Sequence, residues 1–224
     1  MFLALVCTGA PPSASAAGVG TLSDKDSVAG LKAALGQGAE RAVSTLGATD
    51  GFLGNPTVRI PLPPTLAKGE RMFKMLGLDK QAKELVTSMN RAAEAAMPEA
   101  RTLLVDSVKQ MSVSDARQIL TGGDDAATQY FRRTSYDKLS ARFLPIVKQT
   151  TDRSDLSKQY NEFAGQAARL GVIEPRDAKV EDYVTRKALD GLFTMIAEEE
   201  RAIRKDPLGQ ASKLLQNVFG TLKN

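Results

Sequence analysis

No histidine and no tryptophan occur in the 224 residues, and cysteine occurs once, at Cys7. Without histidine the chain lacks the usual general base near neutral pH and the commonest metal ligand. Ser-His-Asp and Cys-His catalysis are thereby excluded, as are histidine-containing zinc sites. A single cysteine leaves no intrachain disulfide. Beyond the first few residues no apolar run approaches the roughly 20 residues that a transmembrane helix needs. Dense Lys/Arg blocks are missing too. The 30 bases and 26 acids are interspersed along the chain and leave a net charge of +4, a solvated mixed surface and not a nucleic-acid footprint. What remains is 42% hydrophobic and 25% charged, a composition that folds and can bury one core of ordinary size.

The opening segment, MFLALVCTGAPPSASAAG, is apolar from Phe2 to Val6 and then turns to small residues. Ala14-Ser15-Ala16 fits the A-x-A pattern of a signal-peptidase site, so residues 1–16 are expected to be a removed signal peptide and 17–224 one exported, periplasmic domain. Lipid anchoring through Cys7 is the alternative, disfavoured by the bulk of Val6 before it.

The rest of the chain reads as helices. Ser23 and Asp26 form an S-x-x-D start, followed by Val28, Leu31, Leu35, Ala39, Ala42 and Leu46 at helical spacing, interrupted by Gly30, Gly36 and Gly38. Asp79 opens a helix with Ala82, Leu85, Val86, Met89, Ala93 and Ala96 on one stripe, and Pro98 starts the next. SVSD at Ser112–Asp115 begins a short helix ending at Gly122. Further helices are expected over Asp124–Thr134, Tyr136–Thr150, Asp155–Leu170, Glu181–Lys205 and Leu208–Leu222. Between the first helix and these lies NPTVRIPLPPTL, Asn55–Leu66, whose four prolines forbid a regular helix or a central strand. Val58, Ile60 and Leu62 alternate, which predicts an extended arm with one apolar side, either packed on the body or offered to a partner. The expected class is all-α: a single-domain multi-helix bundle with an extended proline-rich arm after the first helix.

GFLGNPTVRIPLPPTL, MNRAAEAAMPEAR, ILTGGDDAATQYFRRTS and KALDGLFTMIAEEERAIRKDP occur in that order and cover nearly the whole mature chain. Together they resemble the bacterial domain-of-unknown-function family 4197. The resemblance implies an exported, mostly helical protein and transfers no catalytic residue.

The conspicuous motif is GGDD, residues 122–125. It looks like the GGDEF of cyclic-dinucleotide synthases and the GDD of RNA polymerases, but those motifs sit on β-hairpins and this one is flanked by helical text. The local physics predicts a joint: Gly122 in the left-handed conformation that ends a helix, and Asp124 capping the next. Ala127 and Phe131 then face the core, while Asp125, Gln129 and Arg132 share the polar side. In the last long helix Glu199 falls on the apolar stripe of Thr185, Ala188, Leu192, Ile196 and Ile203. It is either a core-facing carboxylate in need of a partner, with Arg132, Arg133 and Asn90 as candidates, or the point where the stripe reaches the surface. Asn90 and Glu94 flank the stripe of their own helix, fit for an inter-helix polar network or for orienting a ligand.

Three functions follow as expectations. The first is a non-enzymatic module binding an apolar or amphipathic small molecule, or a partner, with Asn90, Glu94, Asp124, Asp125, Tyr130, Arg132, Arg133 and Glu199 as candidate ligand-binding residues. The second is a carboxylate-dependent hydrolase or lyase working without histidine. The third is an envelope-associated scaffold with Val58, Ile60 and Leu62 as its partner contact. No cofactor is expected. The acids show no EF-hand spacing and no Glu-x-x-His pair, so no metal is expected either.

Overall fold

The computed structural model describes residues 24–67, 77, 79–153, 155–171, 174 and 178–205. The expected signal peptide, the Ser23 start and the 208–222 helix lie outside these. In chain order the helices are α1 (Asp24–Gly47), α2 (Pro64–Ala67), α3 (Asp79–Ala96), α4 (Pro98–Gln110), α5 (Val113–Thr121), α6 (Ala126–Thr151), α7 (Asp155–Arg169) and α8 (Val180–Lys205). No strand occurs among the described residues, and the protein is all-α as its periodicity predicts.

The two longest helices after the arm, α6 and α8, pack against each other; α3 and α4 pack on α6, and α1 lies against α4 and α8. Each turns one stripe inward at spacings of three and four: Leu85, Met89, Ala93 and Ala96 from α3, and Val184, Ala188, Leu192 and Ile196 from α8. In α6 the buried positions run in unbroken steps of four through Ala127, Phe131, Ser135, Leu139, Phe143, Val147 and Thr151. That unbroken stripe explains why one helix replaces the two expected over Asp124–Thr134 and Tyr136–Thr150. Ser135 sits in the stripe because its hydroxyl meets that of Ser107 at 2.7 Å, so neither polar atom is buried unpaired. Gly38 of α1 faces α8: a Cβ there would sit in ordinary contact, 3.5 Å from both Glu199 and Ile203.

Residues 48–63 hold no regular helix. Pro64–Ala67 form one helical turn, so the segment expected to be extended to Leu66 is helical at its end. Phe52 is wholly buried and fits a notch in α8, where Gly191 leaves room; a Cβ there would come 2.7 Å from the Phe52 ring. Val58 and Ile60 follow it into the core, and Leu62 is half-buried. No described helix is long and apolar enough to cross a membrane.

Candidate functional site

Two of the three buried glutamates among the described residues, Glu94 and Glu200, are spent on backbone. Glu94, 6% exposed, turns Oε1 to the backbone N–H groups of Phe52 (3.1 Å) and Leu53 (3.2 Å), while its Oε2 accepts from Arg91 at 2.6 Å. Arg91 also holds Asp50 at 2.7 Å, and these two carboxylates, Glu94 first, raise the guanidinium further above its ordinary value. One turn earlier on α3, Asn90 accepts the N–H of Ile60 (2.9 Å) and donates to the carbonyl of Ile60 (2.8 Å), as a neighbouring strand would. The sequence places Asn90 and Glu94 on one flank of α3, and the structure shows what that flank meets: the main chain of the segment after α1. Tyr183 of α8 adds a bond to the Pro61 carbonyl at 3.3 Å.

The second buried carboxylate is Glu200, 4% exposed. It accepts from the N–H groups of Ala127 (2.9 Å) and Thr128 (2.8 Å) and from the Thr128 hydroxyl (2.9 Å), so it caps α6 from another helix. A carboxylate is favoured there because it satisfies unpaired N–H donors and meets the positive end of the helix dipole. Arg204 donates to Glu200 at 2.8 Å and to the Ile119 carbonyl at 2.9 Å, tying the end of α5 to the start of α6. This corrects two expectations, the Asp124 cap and a left-handed Gly122, while Asp125 stays on the polar side with Gln129 as expected. Asp124 is exposed and does not cap α6. Asp125 occupies the N-cap position with no capping bond and instead accepts from Gln129 at 2.9 Å. Gly122 has φ −83°, not a left-handed value, and is needed for space: a Cβ would fall 2.7 Å from Ala126 Cβ and from the Gln118 carbonyl.

Glu199 is not the core-facing acid. Its side chain is 25% exposed and pairs with Arg41 of α1 at 2.7 Å, not with Arg132, Arg133 or Asn90. The step of four from Ala188 through Leu192 and Ile196 runs on to Glu200, a signal present in the sequence. Arg132 stacks on Phe193 at 4.6 Å from the ring centroid and lies 3.7 Å from Asp190, away from Arg133.

Tyr130 and Arg133 do come together. They line a cleft of about 160 Å³ between α5 and α6, directly beside the GGDD joint, with Asp115, Gln118, Ile119, Ala126 and Gln129. Ser112 and Asp115 form the capping box that starts α5, with Ser112 N–H to Asp115 at 3.1 Å and Asp115 N–H to Ser112 at 3.0 Å. These bonds from Ser112 hold the Asp115 carboxyl below its ordinary range, with Arg133 at 3.4 Å contributing less. The Arg133 guanidinium lies 5.6 Å from the centroid of the Tyr130 ring, whose hydroxyl donates to the Ser107 carbonyl at 2.8 Å. Burial pushes the Tyr130 phenol up. Periodicity places Gln129 on the polar side of α6 and the SVSD start accounts for Asp115, but only the packing of α5 on α6 brings them and Gln118 to Arg133.

At the far end of α8, Asn161 of α7 accepts from the Val180 N–H at 2.8 Å and donates to Glu181 at 2.9 Å, while burial, then Glu181, push the Asp182 carboxyl up. Among the described residues no group of three or more acids and cysteines is arranged to hold a metal ion.

No curated protein and no solved structure matches the chain. Residues 21–220, nearly the whole chain, match the family described as "Protein of unknown function (DUF4197)", and by that coverage the protein belongs to the DUF4197 family.

Proposed function

We propose that the protein is a non-enzymatic binding module that works after export and takes a small molecule or a partner's segment into the cleft between α5 and α6. One observation carries this reading: the polar side chains Gln118, Gln129 and Arg133 stand open along a cleft, while the buried acids Glu94 and Glu200 are occupied by backbone N–H groups and arginines. The cleft is also rigid from beneath, because Glu200 and Arg204 tie together the helix ends that form its walls. A preorganised wall lowers the ordering cost of binding.

The hydrolase reading needs two acids with differently shifted carboxyls in one place. Asp115 is lowered and Asp182 raised, but Asp115 lies on α5, whose end meets Arg204, and Asp182 lies in the first turn of the same helix as Arg204. At 1.5 Å per residue Asp182 lies about 33 Å along α8 from Arg204, at the opposite end of that helix from the contact with α5. The scaffold reading keeps one supporting feature, a groove of about 430 Å³ lined by Pro56, Arg59, Pro61, Leu62, Ala67 and Val86.

Native mass spectrometry of the gently purified full chain tests the proposal, with the double variant Gln118→Ala/Arg133→Gln beside it. The expected result is a bound mass that disappears in the variant. A bound mass indifferent to the variant but lost in Arg59→Ala moves the function to the groove, and a chain without adducts sinks the cleft.

A further inference from the structure

The cleft reading leaves the ligand's chemistry open, and the atoms of the cleft narrow it. At about 160 Å³ the cleft is smaller than the roughly 300–1,000 Å³ that holds a drug-sized ligand, so it accommodates one terminal group. Among the described residues that line it the one cation is Arg133, whose side chain is 62% exposed and whose contact with Asp115, at 3.4 Å, uses one Nη2 donor. The guanidinium is steadied by the Tyr130 ring on one side and by Asp115 on another, which leaves donors of its planar fork for a two-oxygen acceptor. Asp115 itself is committed: its Oδ2 accepts from both the N–H (3.1 Å) and the hydroxyl (2.6 Å) of Ser112, and its Oδ1 faces Arg133. A second cation therefore finds no open acid in the cleft.

Net charge decides between anions. Arg133 is only partly offset by Asp115, through one contact at 3.4 Å, and Asp125 beside the cleft is exposed, so a dianion would meet more repulsion than a monoanion. The two amides supply the rest. Gln129 gives its NH₂ to Asp125 at 2.9 Å and keeps its carbonyl oxygen as an acceptor. The Gln118 amide makes no hydrogen bond among the described residues, so it offers both a donor and an acceptor. An acceptor and a donor next to a guanidinium complement an amide adjoining a carboxylate. Ile119 and the Ala126 methyl provide an apolar floor for a small side chain.

We propose that the α5–α6 cleft binds a terminal carboxylate that adjoins an amide, the group found at the C-terminus of a peptide chain. The inference rests on the cleft reading above. Arg133 holds the carboxylate, Gln118 and Gln129 hold the last peptide group, and Glu200 is a positioning residue that keeps α5 and α6 at the spacing the group needs.

The test is a titration of the full-length ¹⁵N-labelled protein followed at the amides of Gly122, Gly123 and Gln129. The probes are N-acetyl-Ala-Ala as the free acid, the same peptide as its C-terminal amide, octanoate, and inorganic phosphate. The expected result is roughly millimolar binding of the free acid and at least about ten-fold weaker binding of the other three. Arg133→Gln is expected to weaken the free acid about ten-fold, and Arg133→Lys to recover part of that, since a lysine restores charge but not the fork. Both variants are exposed substitutions whose helix content, read by circular dichroism, is expected to stay that of the parent. Equal binding of acid and amide, tighter binding of phosphate or octanoate, insensitivity to Arg133→Gln, or no shift with the free acid each overturns the carboxylate assignment. If that assignment fails while the mass-spectrometric adduct persists and still depends on Gln118 and Arg133, the ligand chemistry is wrong and the cleft stands; if both fail, the cleft falls too.

Discussion

Glu94 and Glu200 place the same device in two regions of the molecule. Each is a buried carboxylate under two consecutive backbone N–H groups, and each carries an arginine of its own helix, Arg91 or Arg204. They differ in what they hold. Glu94 spends one oxygen on a turn, at 3.1 and 3.2 Å, whereas Glu200 divides both oxygens over the start of a long helix, at 2.9 and 2.8 Å, and adds the Thr128 hydroxyl. The helix start carries about half a positive charge from aligned peptide dipoles, and a turn has no comparable alignment. The arginine of the second device is also better buried, 18% exposed against 36% for Arg91. The first device therefore closes a segment onto the body, while the second holds two helix ends apart at a fixed spacing and leaves a cleft above them. A buried polar group that satisfies main chain is a structural part in both places.

The comparison breaks first at Glu200. Glu200→Ala strands two N–H groups in the interior and leaves the part-buried Arg204 guanidinium with the Ile119 carbonyl but no carboxylate, and is expected to cost about 3–5 kcal/mol in urea unfolding. Glu94→Ala frees a turn whose arginine keeps Asp50 and is expected to cost less, about 2–3 kcal/mol by the same measurement. Equal losses would mean that the helix dipole adds nothing. Gly191→Ala probes what the first device secures: its Cβ presses on the Phe52 ring, and overpacking of that kind costs about 1–3 kcal/mol. A loss well below that range would show that Phe52 gives way.

Smaller effects sharpen the cleft side. Ser112→Ala removes the N-terminal cap of α5 and is expected to cost about 1 kcal/mol. It should also flatten the acid limb of the stability profile. The folded-state carboxyl of Asp115 is lowered, so its contribution is present above the ordinary carboxylate range and lost as pH falls through the lowered value. Asp182 carries the opposite sign. Its carboxyl is raised, chiefly by burial, so its contribution is favourable at low pH and lost as pH rises through the raised value. Asp182→Asn is expected to stabilise the protein slightly at neutral pH, with the difference from the parent vanishing as pH falls below the ordinary carboxylate range. A variant less stable than the parent at pH 7 would show that the ionised form is bonded in the fold.

Much of the bundle was legible because burial repeats at helical spacing. The stripe of α3, the proline start of α4 and the Ser112–Asp115 capping box were each readable within a dozen residues. The candidate site was legible only in part. Tyr130 and Arg133 were readable beside the GGDD joint, but Asp124 was assigned a cap that Glu200 supplies from far along the chain. The stripe of α8 ran through Glu199 and Glu200 alike, because steps of three and four are both helical, and only the position of α6 separates them. Asp115, Gln118 and Gln129 gave no sign of convergence, since exposed polar residues on two helices look like ordinary solvated faces.

By itself the sequence determined the all-α class, the absence of histidine chemistry, the helix starts at Asp79, Pro98 and Ser112, and the break after α1. These follow from short-range physics: side-chain period, caps, and the missing N–H of proline. Only the tertiary structure decided that Asn90 and Glu94 receive the main chain of residues 52–60, that Glu200 caps α6, and that α5 and α6 leave a cleft. The reason is that an unpaired N–H donates to any carboxylate or amide oxygen brought within about 3 Å, and which one arrives is settled by how whole helices pack.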